Sequence, residues 1–368
     1  MTADSVGGVW TYALDLIAAL APYDVTVTLA VMGPELSNAQ RASLAPLDNV
    51  SLVEQPFELE WEADPWDDVE AAREWLLGIA ARVHPDIVHL NGYALGNSPW
   101  PCPAVVVGHS CVLSWWEAVR HEPAPPRWSR YREAVRSGLA AADTVVTPTA
   151  AMLRSLQSHY GPLPRTRVIF NGRATPVLAR HDKEPLVLCA GRLWDDAKNV
   201  RALVAAAPQI SWPVYLAGAL TLPSADTTPP VPLDRVTYLG PLSRDEITGW
   251  MARASIYVLP ARYEPFGLSA LEAAQTGTAL VLGGIDSLSE VWGDAAMFVP
   301  PDDSHAIAEA VEALIHDPAR RAGLARRARE RAAGLTPARM AAAYVDVYRD
   351  AAARRRAVAS RTLGEATA

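Results

Sequence analysis

The chain has 368 residues, half of them hydrophobic, and a formal net charge of -8 at pH 7. This length is typical of two domains rather than one, each with enough apolar residues for a sizeable core. The acidic balance gives no general attraction to nucleic acid or to an anionic membrane surface. We therefore expect a globular protein without a nucleic-acid partner.

The cysteines and the first residues of the chain indicate the cellular compartment in which we expect the protein. Cys102, Cys111 and Cys189 are odd in number, scattered and without metal-ligand spacing, which predicts neither a disulfide framework nor a zinc site. No basic residue precedes Arg41, and no uncharged run approaches the roughly 18 apolar residues that a membrane span needs. We expect a cytoplasmic protein with no export signal, no stable membrane insertion and no bound metal.

Short apolar, β-branched runs alternate with longer amphipathic segments along the chain. The predicted strands are 25–32, 86–91, 104–110, 144–149, 186–192, 214–218, 256–261 and 279–284. Because nearly continuous apolar strands are buried on both faces, this alternation predicts two parallel, doubly wound sheets covered by helices, an α/β fold. A polar segment at 171–185, which contains two prolines, is the predicted join between two domains.

Near the start, Gly7 and Gly8 precede an amphipathic helix predicted from Thr11 to Ala21. Glycines at a helix start let the backbone approach a ligand phosphate, although a plain tight turn gives the same pattern. A dinucleotide fingerprint would need G-x-G-x-x-G after a full strand, and that pattern is absent here. Only Met1 to Asp4 are available to form a strand before the loop that begins at Ser5, so we expect the first strand to be short or missing.

The next notable segment is strongly acidic. Eight acidic residues and two tryptophans, Trp61 and Trp66, lie between Glu54 and Glu70, with no basic residue from 42 to 72. The pattern is compatible with a solvated loop and helix start. It is also compatible with a binding surface for a cationic or amino-bearing ring, where carboxylates pair with ammonium groups and an indole stacks on the ring. The charge argues against an anionic lipid as the ligand of this segment.

The predicted strand at 104–110 runs into His109. A side chain just beyond the carboxyl end of a parallel strand faces the crevice where ligands bind, although a lone histidine can equally be structural. Trp115 and Trp116 follow shortly afterwards. They either pack in the core or line a pocket as aromatic faces for a ring-shaped ligand.

In the second half, Gly191 and Arg192 end the strand predicted at 186–192, and Lys198 follows six residues after the arginine. Fixed cations stabilise negative charge on a bound anion or on a leaving group. Of 33 basic residues only Lys183 and Lys198 are lysines. We infer that a compact ammonium is specifically required at Lys198, although an exposed residue near a helix start would look similar.

The most specific pattern lies at 261–284. Glu264 is followed at once by a Pro-Phe-Gly turn, and Glu272 comes eight residues after Glu264. Proline favours a helix start, glycine allows close backbone approach, and the first amides of a helix attract an anion. The two carboxylates can accept hydrogen bonds from hydroxyls on either side of a bound phosphate. This is the outline of a nucleotide-sugar site.

The E-P-F-G-x-x-x-x-E pattern resembles the donor motif of retaining glycosyltransferases with the GT-B fold, in the large family-four group. The resemblance implies two doubly wound Rossmann-like domains facing a central cleft, with a C-terminal helix that crosses back onto the first domain. We expect an acceptor domain at 1–172, a donor domain at 173–340 and the returning helix at 341–368. The arginine cluster at 354–356 is interpreted as a solvated helix end, with a binding patch as the alternative.

The resemblance also implies a role for each motif residue. His109 would contact the transferred sugar near its reacting carbon. Arg192 and Lys198 would face the diphosphate, while Glu264 would bind hydroxyls of the transferred sugar. The expected donor-binding residues are Gly7, Gly8, Asn171, Gly191, Tyr238, Phe266, Gly267, Leu268 and Glu272. The expected acceptor-binding residues are Trp61, Trp66, Trp115 and Trp116.

These assignments predict a retaining, metal-independent hexosyltransferase. It would move a sugar from a UDP- or GDP-sugar to a hydroxyl of a small acceptor, such as an amino-bearing sugar or cyclitol. The nucleotide-sugar is a co-substrate and no cofactor is expected. Two alternatives stay open: a nucleotide-sugar epimerase or hydrolase on the same fold, and a non-catalytic carbohydrate-binding protein.

Overall fold

The structure is a computed structural model that describes residues 1–163, 165–176, 182–221 and 235–366, with side chains described as far as residue 357 in the last helix. Its contacts divide the chain into two compact units. Unit 1 comprises Met1–Ser114, Glu122–Gly172 and Pro337–Ala368, and unit 2 comprises Trp115–His121 and Arg173–Thr336. The division at Gly172 falls inside the polar join predicted at 171–185, of which residues 177–181 lie outside the described part of the chain.

Unit 1 is built from parallel strands and the helices that connect them. Its strands are β1 (Thr2–Asp4), β2 (Val27–Met32), β3 (Val50–Glu54), β4 (Val88–Leu90), β5 (Ala104–Val107), β6 (Thr144–Thr147) and β7 (Thr166–Val168). Its helices are α1 (Gly8–Leu20), α2 (Asn38–Leu44), α3 (Trp66–Val83), α4 (Val112–Arg120, whose later residues group with unit 2), α5 (Ser129–Ala141) and α6 (Ala150–Tyr160). The strands pair in parallel in two groups, β3-β2-β1 and β4-β5-β6-β7.

The first strand is present but has only three residues, and the sheet of unit 1 consists of two hydrogen-bonded parts rather than one. The two parts contact each other through β1 and β4. Asn91, which follows β4, supplies bonds there: its backbone N–H donates to the Thr2 hydroxyl (2.9 Å), and its side-chain amide donates to the Thr2 carbonyl (2.6 Å). A side chain thus takes over part of the role of ladder hydrogen bonds between these two short strands.

Unit 2 contains one parallel sheet of six strands in the order β10-β9-β8-β11-β12-β13. The strands are β8 (Glu184–Ala190), β9 (Val214–Ala217), β10 (Thr237–Gly240), β11 (Ala254–Leu259), β12 (Ala279–Gly283) and β13 (Met297–Val299). The helices are α7 (Val200–Ala206), α8 (Arg244–Arg253), α9 (Leu268–Gln275), α10 (Asp286–Trp292), α11 (Ser304–His316) and α12 (Pro318–Ala332). Every residue of β11 and β12 is buried, as expected for strands covered on both faces. The predicted α/β class with parallel sheets is confirmed.

The last helix, α13 (Pro337–Ala366), follows unit 2 in the chain but packs in unit 1. Its Met340, Ala341 and Tyr344 share an apolar core with Leu16 and Ile17 of α1. The helix begins with a proline, which suits a first helical turn. No helix in the described part of the chain is both long enough and apolar enough to cross a membrane.

The packing of α13 can be tested at Tyr344, whose side chain is 1% exposed. Replacing Tyr344 by alanine should lower the free energy of unfolding by about 3–5 kcal/mol, because it removes a large buried ring and leaves a cavity. Arg349→Ala, on the exposed side of the same helix, should change it by less than about 0.5 kcal/mol. The measurement is chemical denaturation of both variants. An equal loss of unfolding free energy in the Tyr344→Ala and Arg349→Ala variants would contradict this packing of α13.

Candidate functional site

The carboxyl ends of β8 and β11 lie side by side in the sheet of unit 2. From β8 the chain continues to β9 and β10 on one side, whereas β11, β12 and β13 lie on the other. In an open parallel sheet such a reversal of strand order leaves a crevice beyond the strand ends, where ligands bind. The loops that start here, at 191–199 and 260–267, carry the motifs singled out in the sequence.

Lys198 and Glu264 join these two loops. The Lys198 Nζ lies 2.5 Å from Oε2 of Glu264, and the two side chains are only 14% and 13% exposed. Burial alone would raise the pKa of Glu264, but the Lys198 ammonium and the Phe266 amide hold it below its usual value. Glu264 is therefore a carboxylate, fixed in place at the mouth of the crevice.

The Pro-Phe-Gly turn corrects one expectation. The amides of Phe266 and Gly267 were expected to be free for an anion, but they donate to Oε1 of Glu264 at 3.4 and 2.9 Å. Gly267 has φ +90°, and a Cβ there would lie 3.0 Å from Cδ2 of Leu288, so the turn requires glycine. Leu268 opens α9, and its amide is one of those that a helix leaves without an intrahelical partner.

Arg192 is oriented by Asp195, a residue that the sequence analysis missed. The buried carboxylate of Asp195 accepts hydrogen bonds from Arg192 Nη2 (3.1 Å), from the Ala197 amide (3.0 Å) and from Trp115 Nε1 (3.0 Å). The guanidinium of Arg192 stays 43% exposed beside the backbone of Gly191. An aspartate three residues before the lysine, at the start of the short turn Asp196–Lys198, was the available signal.

Trp115 and Trp116 are placed differently from the prediction. They were expected in the acceptor half, but their contacts group them with unit 2. The reason is the bond from the Trp115 indole to Asp195, supported by the Arg120 guanidinium 5.4 Å above the Trp115 ring. Trp116 packs against Trp115 with ring centroids 5.8 Å apart.

Glu272 also has a partner that was not predicted. Arg173 donates to Oε1 of Glu272 through both Nε (2.6 Å) and Nη2 (2.5 Å), and its side chain is only 6% exposed. Because one oxygen takes both bonds, Oε2 of Glu272 remains available to another donor. Arg173 follows closely after Asn171, which is buried in unit 1.

Tyr238 lies within the short strand β10. Its hydroxyl donates to the Gly218 carbonyl, beyond the end of β9, at 3.0 Å. Because β10 is at the edge of the sheet, its side chain is 37% exposed. Tyr238 therefore lies on the edge strand β10, which β9 separates from β8 and its motif loop.

Unit 1 has its own reversal of strand order, between β1 and β4. The chain enters β2 and β3 on one side, and β5, β6 and β7 on the other. Gly7 follows β1 with φ +79° and forms the start of α1, where both it and Gly8 are exposed. The amides at this helix start are thus accessible to an anion.

His109 lies just beyond β5 and is bonded to Asn91. Its Nε2 is 2.8 Å from Oδ1 of Asn91, and Nε2 of His89 is 3.1 Å from the same oxygen. Since the Asn91 amide nitrogen donates to Thr2, its oxygen is the acceptor, and both Nε2 atoms carry hydrogen. Nδ1 of His89 then accepts from the Tyr348 hydroxyl at 2.6 Å. Burial lowers the pKa of both histidines to about 3, so both are neutral at pH 7.

Asn91 was missed, although the rule that singled out His109 would have found it. It is a polar residue at the carboxyl end of the strand predicted at 86–91. Its amide connects β1, β4 and the loop after β5, because it bonds both Thr2 and His109. It positions His109 and selects its tautomer.

A cavity of about 60 Å³ lies beyond the ends of β1, β2 and β4. Its ionisable lining residues are all acidic, namely Asp4, Glu58 and Glu60, and the 40% exposed Trp61 also lines it. Burial raises the pKa of Glu60, opposed by the Ala94 and Tyr93 amides that donate to its carboxylate. A space of this size holds several waters, and hence a polar substituent of a ring.

Trp66, the second tryptophan of the acidic segment, does not line this cavity. It opens α3, and the Arg130 guanidinium lies 5.1 Å above its ring. One face of the Trp66 indole is therefore occupied by an arginine. Among the residues that the structure describes, no group of three or more His, Cys, Asp or Glu side chains is arranged to hold a metal ion.

Two family descriptions match most of the chain. Residues 6–175 match "Glycosyltransferase Family 4", and residues 184–317 match "Glycosyl transferases group 1". The chain is similar to a glycogen synthase of Mycobacterium tuberculosis, with 31% identity over 280 residues, or 69% of this chain and 66% of the relative. It thus spans just under two thirds of that relative's length. It is also similar to a D-inositol 3-phosphate glycosyltransferase of Nocardioides sp., with 27% identity over 94% of this chain and 86% of the relative.

Solved structures show the same fold. A sucrose-phosphate synthase from Thermosynechococcus elongatus aligns with a TM-score of 0.77 and 22% identity over 94% of both chains. The Anabaena protein HepE in complex with UDP-glucose aligns with a TM-score of 0.73 and 17% identity, over 94% of this chain and 96% of HepE. At these identities the likeness concerns the fold alone.

The two neutral histidines predict acid sensitivity. Their folded pKa of about 3 lies below the usual 6.5, so the unfolded chain binds more protons, and stability is lost as the pH falls below 6.5. Each histidine can lower the free energy of unfolding by up to about 1.4 kcal/mol per pH unit. Thermal midpoints between pH 7 and pH 5 measure this slope. His89→Gln should reduce it by up to about half. The control, exposed His305→Gln, should leave it unchanged; equal slopes in all three proteins would contradict the assignment.

Proposed function

Because the chain belongs to the family-four type of glycosyltransferases with the GT-B fold, we propose that it transfers a sugar from a nucleotide diphosphate sugar to a hydroxyl of a small acceptor. Unit 2 holds the donor and unit 1 the acceptor. The observation that carries the proposal is the meeting of two loops at the strand-order reversal of unit 2, with Lys198 of one bonded to Glu264 of the other.

The donor is proposed to bind along these loops. Arg192 and Lys198 face the diphosphate, the Leu268 amide at the start of α9 adds partial positive charge, and Glu272 accepts from the ribose hydroxyls through Oε2. Glu264 accepts from hydroxyls of the transferred sugar. Since each cation already has a carboxylate partner, donor phosphates share or replace the bonds to Asp195 and Glu264. A UDP-sugar is the first choice, because HepE binds UDP-glucose on the same fold.

The proposed transfer is retaining and same-face. As the bond between sugar and phosphate breaks, negative charge grows on the leaving diphosphate, and the two cations stabilise it more than they stabilise the intact donor. The leaving phosphate then accepts the proton of the attacking hydroxyl. Neutral His109 contacts the transferred sugar, held in one tautomer by Asn91. No motif carboxylate is assigned as a nucleophile, and neither a metal nor another cofactor is assigned a role.

The acceptor is proposed to enter the cavity beside Trp61. Its three acidic lining residues favour an ammonium or several hydroxyls, and they disfavour a phosphate. The acceptor class is therefore an amino-bearing sugar or cyclitol, which differs in charge from the inositol phosphate for which the Nocardioides relative is named. A protein acting in this way needs no anchoring in a membrane, and we propose a cytoplasmic location.

The test of the reaction is a screen of UDP- and GDP-sugars for nucleotide release, with and without aminocyclitol, neutral-sugar and lipid acceptors. Lys198→Ala should lower acceptor-dependent release by about 100- to 1,000-fold, because one fixed charge at the leaving group is lost. Arg201→Ala, an exposed cation on α7, is the matched control and should retain full release. Addition of a chelator should leave release unchanged.

Three outcomes would contradict the proposal. Release that needs no acceptor would indicate an epimerase or hydrolase. Failure to bind UDP or GDP in calorimetry would indicate a non-catalytic protein. A product whose anomeric configuration is inverted, measured by NMR, would remove the retaining mechanism.

Acceptor charge can be tested separately at Glu58, which is exposed at the cavity. Glu58→Gln should raise the KM for an amino-bearing acceptor about two- to fivefold and leave that for its hydroxyl analogue unchanged, since an exposed charge pair contributes about 0.2–1 kcal/mol. Glu74→Gln, exposed on α3 away from the cavity, controls for the change in net charge. An equal rise with both acceptors would contradict charge recognition by Glu58.

A further inference from the structure

A second cavity lies at the amino ends of the unit 1 strands, where β6 and β7 begin. It has a volume of about 300 Å³, at the lower end of the range of small-molecule sites. Thr144 and Thr166, the first residues of β6 and β7, line it together with one face of α13. The residues discussed above lie at the carboxyl ends of the strands, so this cavity is separate from the proposed acceptor site.

The charge of this cavity is strongly positive. Three guanidinium groups, those of Arg165, Arg167 and Arg354, line it with a single carboxylate, Asp350. Arg167 pairs with Asp350 at 3.5 Å. In the described part of the chain, no carboxylate forms an ion pair with Arg165 or Arg354, so two positive charges are left uncompensated.

These two charges are held close together by one backbone oxygen. The Asp143 carbonyl accepts from Arg165 Nε at 2.8 Å and from Arg354 Nη2 at 3.4 Å. Arg165 also donates to the Ala142 carbonyl, and Arg354 to the Thr144 hydroxyl at 2.9 Å. Because the two guanidinium groups share one acceptor, they are close enough for their like charges to repel each other. An anion placed between them removes this repulsion.

Both guanidinium groups keep donors for such an anion. A guanidinium has five N–H bonds, and Arg354 uses only Nη2 in its described hydrogen bonds, which leaves Nε and Nη1. Arg165 uses Nε and Nη2, which leaves Nη1. Because backbone carbonyls fix both groups, little side-chain freedom remains to be lost on binding.

We propose that this cavity binds the phosphate group of a small soluble molecule. A phosphate presents several acceptor oxygens in different directions, which suits two guanidinium groups that approach from a strand end and from a helix. The ligand is an effector rather than a substrate, because the cavity is at the amino ends of the strands. It would act through α13, which also packs on α1, the helix that starts at the exposed glycines.

The test is calorimetric titration of the full chain with a hexose 6-phosphate while UDP is present in excess to occupy the proposed donor site. The double variant Arg165→Gln/Arg354→Gln should bind at least about tenfold more weakly, which corresponds to about 1.4 kcal/mol. The double variant Arg349→Gln/Arg356→Gln removes the same charge from α13 outside the cavity and should bind within about twofold of the unchanged chain.

A second pair of substitutions covers the case in which the glutamine variant does not fold. Arg165→Lys/Arg354→Lys keeps both charges but cannot donate two parallel bonds, and it should bind at least about threefold more weakly. The proposal is overturned by equal weakening in the two glutamine variants, by unchanged affinity in the lysine variant, or by no binding to the unchanged chain. Binding to vesicles with phosphatidic acid, but not to the soluble ester, would also overturn it. These outcomes do not depend on whether sugar transfer is observed.

Discussion

The ion pair between Lys198 and Glu264 is the interaction on which the candidate donor site depends. It joins the loop after β8 to the loop after β11, and these are the two strands at which the order of the unit 2 sheet reverses. Each partner is mostly buried, so neither charge would be stable there without the other. Glu264 then holds the amides of the Pro-Phe-Gly turn, and the turn sets where α9 begins. One contact thus fixes two loops, one turn and one helix start.

Unit 1 uses an uncharged version of the same arrangement. Asn91 lies at the reversal between β1 and β4 and bonds to Thr2 on one side and His109 on the other. The result is a buried network of neutral groups that orients a histidine without making it a base, since burial lowers the pKa of His109 to about 3. The donor motifs of unit 2 are therefore organised by charge, and the candidate sugar contact of unit 1 by hydrogen bonding alone.

The α/β class, eight of the strands and the main motifs could be predicted from the sequence because parallel strands buried on both faces leave long apolar runs. The short edge strands β3, β7, β10 and β13 were not predicted, since a half-exposed strand of three to five residues has no such signature. Partners were missed for another reason. Arg173 reaches Glu272 from a distant part of the chain, and Asp195 lies in the same loop as Arg192 but outside the motif pattern. Motif spacing records a residue's own position but not which side chain will meet it.

The bond between Arg173 and Glu272 has a mechanical consequence. Arg173 is the first residue of unit 2 after the chain leaves unit 1 at Gly172. Its guanidinium donates to the Glu272 carboxylate, which is proposed to bind the ribose. The first residue after the junction is therefore bonded directly to the proposed nucleotide contact, and a displacement of the chain at Arg173 would move the Glu272 carboxylate. Insertions just before Arg173 should consequently alter nucleotide affinity even though they add nothing to the crevice itself.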